Sequence, residues 1–405
     1  METQVLRRII AHLFNLGPAW TVMIADVDVA SIVTGLESGS AFGYHGIFIL
    51  AVLVLPLAVI QYAAGKLGLV TGKGLGELIR EHYGNIYSAA STIPMAATDF
   101  LSYLAEYAGI AIGLGLIGIP PLISLPVFYI LHNLVVLTRN FGRIEKILLP
   151  VSMLSVAVVI TLAMLFHPPA ADIILGFSPV QPYGNGHFDY YMAAMIGAVI
   201  MPFMLFYQIG ATAGKKTSKW DIRHIRNETA AGAVVSELLM ICILLVGASG
   251  INGLGQTQIA GIIFPEKVYA NILLAVCMVS AGFLALVVIS LASAWGVAET
   301  FGWIAQGDFR KGETGKFYLL YVAESLPAMM IAITLGSNLL GLVIALMASL
   351  VIVLVPSGIF VGRLAGSSDV MGGYALSRRY MTSYWLLLLS IEAAGLWGIA
   401  LELFG

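Results

Sequence analysis

Charge is the scarcest property of this sequence. Only 10% of its 405 residues are Asp, Glu, Lys or Arg, against about 25% in an ordinary soluble domain. So little charge does not solvate the two or three soluble domains that the length would allow. The 59% of hydrophobic residues come instead in many runs of 18 or more, the length needed to cross a bilayer. Cysteine is almost absent. Cys242 and Cys277 both sit inside apolar runs, which argues against a disulfide framework. There is no Gly-Lys-Ser/Thr phosphate loop, so ATP drive within this chain is not expected. His-Glu-x-x-His, Gly-x-Ser-x-Gly, a Cys/His cluster and a potassium-channel filter are missing too. No catalytic constellation, resident cofactor or nucleic-acid partner is therefore expected, and the chain does not read as an enzyme. The first apolar run contains Asp26 and Asp28 and no small-residue cleavage site follows it, which is not the pattern of a removable leader.

What is present is a series of apolar segments, at roughly 17–37, 45–65, 88–117, 119–138, 144–167, 190–213, 228–250, 268–304, 317–336, 338–362 and 382–404. At 1.5 Å per residue each spans a hydrocarbon core of about 30 Å. The 44 glycines suit closely packed membrane helices. Eleven spans also sort the basic residues. Arg7, Arg8, Lys66, Lys73, Arg80, Arg139, Arg143, Lys146, Lys215, Lys216, Lys219, Arg223, Arg226, Arg310, Lys311, Lys316, Arg363, Arg378 and Arg379 all fall on one side, and only Lys267 falls on the other. The positive-inside rule makes the populated side cytoplasmic, with the N-terminus inside and the C-terminus outside. The expected architecture is one all-α polytopic membrane domain over 1–405. Five spans (about 17–167) and five of opposite orientation (about 190–362) form an inverted repeat, with an extra helix at about 382–404. No clear internal sequence repeat accompanies that count.

Polar groups inside these runs mark the candidate site. Asp26 and Asp28 lie mid-span, where a carboxylate costs about 2.5–3.5 kcal/mol even on a lenient insertion scale. Such a residue is retained where it faces a polar site or pairs with a polar group on another helix. Ser31 and Thr34 follow, and β-branched Val27, Val29, Ile32 and Val33 lower helix propensity. An unwound stretch here frees backbone carbonyls as oxygen ligands. On an unbroken helix Asp26 and Asp28 point about 200° apart, so both serve one site only if the helix is interrupted; Asp28 ranks first. In the sixth span Pro202 removes a donor and frees the Ala198 carbonyl. Gly197 loosens the backbone and Met201 precedes the break. A lone membrane methionine is usually packing; opposite an embedded aspartate it gains weight as a ligand. Glu106 and Glu237 are further buried acids, Glu106 being favoured as functional. Glu299, Glu324 and Glu392 include structural hydrogen-bonding residues. His132 reads as a satisfied core histidine.

Four stretches together resemble the Nramp divalent-metal transporter family. GPAWTVMIADVDVASIVTGLESGSAFGY is similar to that family's first helix, with Asp28-Val29-Ala30-Ser31 at its Asp-Pro-Gly-Asn signature. KLGLVTGKGLGELIREHYG, at 66–84, is similar to the segment after its second helix. IGAVIMPFM is similar to its Ala-x-x-Met-Pro-His, and LAEYAGIAIGL to its third helix. The resemblance implies a LeuT-like inverted repeat and uptake of divalent metal toward the cytoplasm. Residue by residue it implies that Asp28 and Met201 bind metal, that the carbonyls of Ala25 and Ala198 face it, and that Ser31 supplies oxygen in place of an asparagine. The departures concern protons. Phe203 and Gln208 stand at the family's two histidines, and Tyr103 at its third-helix aspartate, while Glu106 remains. Proton coupling is therefore expected to be weak or rerouted through Asp26 or Glu106.

A thioether tolerates Mn²⁺ and Fe²⁺ and disfavours Mg²⁺ and Ca²⁺, so transition metals lead if Met201 touches the ion. A magnesium-transporting relative is the alternative. An amino-acid or organic-solute transporter of the same broad fold is another, in which Asp28 pairs with a substrate amine. A membrane scaffold or receptor leaves acids near both breaks unexplained. The expected partners are a divalent metal ion as substrate, the bilayer, and protons as a candidate co-substrate. The expected location is the plasma membrane.

Overall fold

The computed structural model describes residues 17–137, 141–214, 219–250, 268–303, 314–335 and 342–404. Every regular element among them is a helix. In chain order these are α1 (Pro18–Ala25), α2 (Val29–Phe42), α3 (Ile47–Thr71), α4 (Leu75–Tyr83), α5 (Asn85–Gly115), α6 (Pro121–Val136), α7 (Phe141–Leu165) and α8 (Ala170–Gly176). There follow α9 (Gly186–Val199), α10 (Pro202–Ala213), α11 (Lys219–Gly250), α12 (Val268–Thr300), α13 (Thr314–Leu335), α14 (Val343–Gly366), α15 (Ser368–Met371), a 3-10 turn at Gly372–Tyr374 and α16 (Arg378–Phe404).

Each of the eleven expected apolar segments coincides with one helix or one consecutive pair. By length and apolarity, eight of the described spans cross a membrane, and nine do if the bent pair α1–α2 is one span. The other two segments fall on α5, whose polar stretch includes Asp99 and Glu106, and on the short α6. Among the basic residues used for orientation, Arg7, Arg8, Arg139, Lys215, Lys216, Lys267, Arg310 and Lys311 lie outside the described residues.

The helices fall into a centre and a shell. The apolar stretch of Gly186–Ala213 is wholly buried, whereas those of α13 and α16 are only 28% buried. The α9–α10 segment is thus enclosed on all sides, and α13 and α16 present most of their apolar surface outward.

Two of the spans are interrupted. α1 and α2 meet at 48° across Asp26–Asp28, with Asp26 as C-cap of α1 and Asp28, extended, as N-cap of α2. Neither proline nor glycine causes this break. An aspartate in the β region at the N-cap, which satisfies orphan amides of the next helix, takes their place. The α9–α10 interruption follows the expected rule: Met201 is extended and Pro202 opens α10.

α11 runs continuously along both halves of the broken first span. Glu228 Oε1 accepts hydrogen bonds from Gly17 N (2.6 Å) and Trp20 N (2.9 Å) at the start of α1. One turn on, Gly232 packs against Met23, and another turn on, the Ser236 hydroxyl donates to Asp26. Beyond the break, Gly35 meets Ile243, Gly39 meets the Leu244 carbonyl, and Gly247 meets the Leu36 backbone. Helices in lipid associate by close packing rather than by hydrophobic drive, and small residues permit the approach. A Cβ added at Gly39 would lie 2.2 Å from the Leu244 oxygen, and a backbone atom yields only if the helices separate.

Gly39→Val is accordingly expected to destabilise the detergent-solubilised protein by about 1–3 kcal/mol. The readout is a lowered melting transition followed by tryptophan fluorescence. Gly115→Ala, whose added Cβ meets nothing within 4 Å, is expected to melt with the unsubstituted protein.

Candidate metal site at the helix breaks

The break in the first span gives Asp28 a positive helix end. Its Oδ1 accepts from Ser31 N at 2.7 Å, an N-cap bond in the field of the α2 macrodipole. Glu106, from α5, supplies a second acceptor to the same turn: Val29 N donates to its Oε2 at 3.1 Å. α5 comes this close because Gly109 lies against Val29, where a Cβ would sit 2.2 Å from Val29 Cγ1. Two acids thus share the orphan amides of one helix start. Each keeps one oxygen, Asp28 Oδ2 and Glu106 Oε1, buried and without a protein donor.

The second break is tied to the first by one hydrogen bond. Pro202 has no N–H to give the Ala198 carbonyl, and the Ser31 hydroxyl donates to it instead, at 3.2 Å. Met201 lies three residues further on as the N-cap of α10. Asp28, Ser31, Ala198 and Met201 are all 0% exposed, so this conformation closes the region to solvent from both faces. Ala25 ends α1. Among the described residues no three His, Cys, Asp or Glu side chains gather as a metal cluster. An ion held here would draw on a mixed set: one or two carboxylates, peptide carbonyls, a hydroxyl and a thioether.

The other residues singled out from sequence lie elsewhere. Asp26 turns to α11, where Ser236 Oγ donates to its Oδ2 at 3.3 Å. Tyr103 bonds Glu324 of α13 at 3.3 Å. Gln208 packs beside Gly65 of α3, with both amide atoms lacking a protein partner. Phe203, at the family's histidine position, is buried in the core. His132 has both ring nitrogens engaged, by Tyr107 (2.7 Å) and Tyr321, as a structural histidine should. Ser236 was not singled out; its signal was a serine beside Glu237 inside an apolar run.

Comparison with known proteins carries the same organisation. The family model described as natural resistance-associated macrophage protein-like (Nramp) matches residues 19–401. The divalent metal cation transporter MntH of Klebsiella pneumoniae is 26% identical over 256 residues, covering 60% of this chain and 60% of that protein; the chain thus matches somewhat under two thirds of that relative's length. Among solved structures, the manganese transporter of Eremococcus coleocola in complex with an aromatic bis-isothiourea compound superposes with a TM-score of 0.80 at 18% identity, covering 96% of this chain and 87% of that one. MhsT in complex with L-phenylalanine superposes at 0.65 with 14% identity, over 96% and 98% of the two chains. The helix arrangement is therefore the LeuT-like one. With the family pattern running from residue 19 almost to the end of the chain on that arrangement, this protein belongs to the Nramp family.

Proposed function

We propose that the protein is a secondary transporter of divalent metal ions in the plasma membrane, working by alternating access, with Mn²⁺ or Fe²⁺ preferred to Mg²⁺. The observation that carries this reading is the buried Asp28 carboxylate. One of its oxygens is held by Ser31 N and the other has no protein donor, and the same Ser31 is hydrogen-bonded to the second broken span. Asp28 Oδ2, the Ser31 hydroxyl, the carbonyls of Ala25 and Ala198 and the Met201 sulfur form the ligand set. Ser31 donates to the Ala198 carbonyl, and each of the two oxygens keeps a lone pair for an ion. Relatives named for divalent metal and manganese transport support the substrate class. A thioether in the set favours softer transition metals over Mg²⁺. An inverted repeat over about 17–167 and 190–362 supplies the two moving halves.

Proton coupling is proposed to be weak or rerouted. Phe203 does not titrate, Gln208 does not titrate, and Tyr103 is engaged with Glu324. Asp26 and Glu106 are the acids through which coupling would be rerouted. The organic-solute alternative requires a substrate amine for Asp28, since a bare carboxylate would meet like charge there.

Asp28→Ala in proteoliposomes is expected to reduce Mn²⁺ uptake by on the order of a hundredfold, because losing a ligand costs at least as much as losing a ligand's support. Uptake unchanged by this substitution removes the reading. Met201→Ala is expected to lower the preference for Mn²⁺ over Mg²⁺ by roughly tenfold, chiefly through Mn²⁺, measured as competing uptake of the two ions. Acidification of the lumen during Mn²⁺ uptake is expected to fall well below that of Nramp members that keep both histidines. An equal signal from a pH dye would show that coupling survives their loss.

A further inference from the structure

The break sends Asp26 and Asp28 into opposite electrostatic surroundings. Asp28 caps a helix start, where amides donate to it. Asp26 is the C-cap of α1, at the negative end of that helix, where terminal carbonyls lack intrahelical donors. From α11 the Ser236 hydroxyl donates to Asp26 Oδ2, and the next residue, Glu237, puts a second carboxylate close enough to repel that of Asp26. Glu237 is 1% exposed. Asp26 Oδ1 and both oxygens of Glu237 are buried with no protein donor. No Lys, Arg or His occurs in α1, the break or α2. On α11 the basic residues before Glu237 are Lys219, Arg223, His224 and Arg226, three or more helical turns away.

Two carboxylates, a helix C-terminus and a single hydroxyl donor leave a demand for positive charge that no donor among the described residues meets. Burying such groups uncompensated is strongly unfavourable. The Glu106–Asp28 pair is different, because α2 donates to both its members. We propose that Asp26 and Glu237 hold a second divalent cation, separate from the one at Asp28 and Met201. The donors on the page are all oxygen, and two carboxylates balance a charge of two. The site suits a hard ion such as Mg²⁺, which accepts one or two carboxylates and keeps several waters, and Mn²⁺ also fits it. The cation bridges the end of α1 to α11, so it fastens the broken span to the continuous helix beside it. This site stands independently of the transport reading.

The full-length protein, stripped of divalent ions in detergent, tests it by calorimetric titration with MgCl₂ alone, with size-exclusion profiles to certify folding. Mg²⁺ is expected to bind the unsubstituted protein, and Met201→Ala and Asp28→Asn are expected to retain that binding. Asp26→Asn and Glu237→Gln are each expected to weaken it by on the order of tenfold or more. Titrated with MnCl₂, the unsubstituted protein is expected to take up two ions per chain and Glu237→Gln one. Mg²⁺ binding abolished by Asp28→Asn, or untouched by Glu237→Gln, overturns the proposal. So does a single Mn²⁺ site in the unsubstituted protein that Asp28→Asn abolishes, the outcome if Asp26 and Glu237 merely share a proton; that measurement decides even if Glu237→Gln fails to fold. Loss of Mn²⁺ transport in Asp28→Ala with the second site intact would separate the two sites, and failure of one reading leaves the other standing.

Discussion

A carboxylate deep in a membrane protein has to be met by positive charge, and here the peptide backbone meets it first. Asp28 is fully buried, and the first amides of α2 are turned toward it because the helix stops before it and starts again after it. An unbroken helix would have spent those amides on its own carbonyls and left the acid with nothing. The interruption at Asp26–Asp28, the approach of α5 through Gly109 and the engagement of Glu106 all follow from that requirement. Capping settles half of the carboxylate. On the proposed reading, the remaining oxygen is where an incoming cation gains most.

A broken helix is weaker than a whole one, since each new end leaves orphan groups and a hinge. α11 compensates by running unbroken along both pieces. It caps the start of α1 with Glu228, reaches the break with Ser236, and packs by glycines against α2. The contacts differ in kind on the two sides of the hinge. Around α1 they include hydrogen bonds from individual side chains, which can be exchanged for others as a helix tilts. Around α2 they are backbone-tight glycine contacts, which are lost altogether if the helices separate. If one half of the first span moves relative to α11 during alternating access, the short α1 is the half whose attachments permit it.

The sequence carried the frame of this protein in a readable form because lipid imposes a strict length and apolarity on each span. Every expected segment fell on a helix or a pair. Pro202 announced its own break, and the freed Ala198 carbonyl was readable because proline removes a specific donor. The first break was less legible. Its proline and glycine are absent, and a run of β-branched residues is only a weak hint beside a capping aspartate. The long-range partners were not legible at all. Nothing local in Ser31 says that it will donate to a carbonyl in the other half of the chain, nor in Ser236 that it will face Asp26. Those pairings come from tertiary packing between helices far apart in sequence, and a single sequence holds no record of it beyond the presence of a polar residue where an apolar one was expected.

Asp26 and Asp28 are two residues apart and so look like one feature. The fold makes them two. One lies at the positive start of α2 and the other at the negative end of α1, and the backbone between them is what divides their roles. For the acid at the helix start the cost of burial is already reduced, so on the proposed reading its ion need not bind tightly and can leave, as a transported ion must. For Asp26, crowded by Glu237 and given one hydroxyl, a cation relieves far more strain, and an ion that relieves more is released more slowly. The same break therefore suits a mobile ion on one side and a resident one on the other. That division needs no difference in the kind of side chain, because it follows from which end of a helix each carboxylate faces.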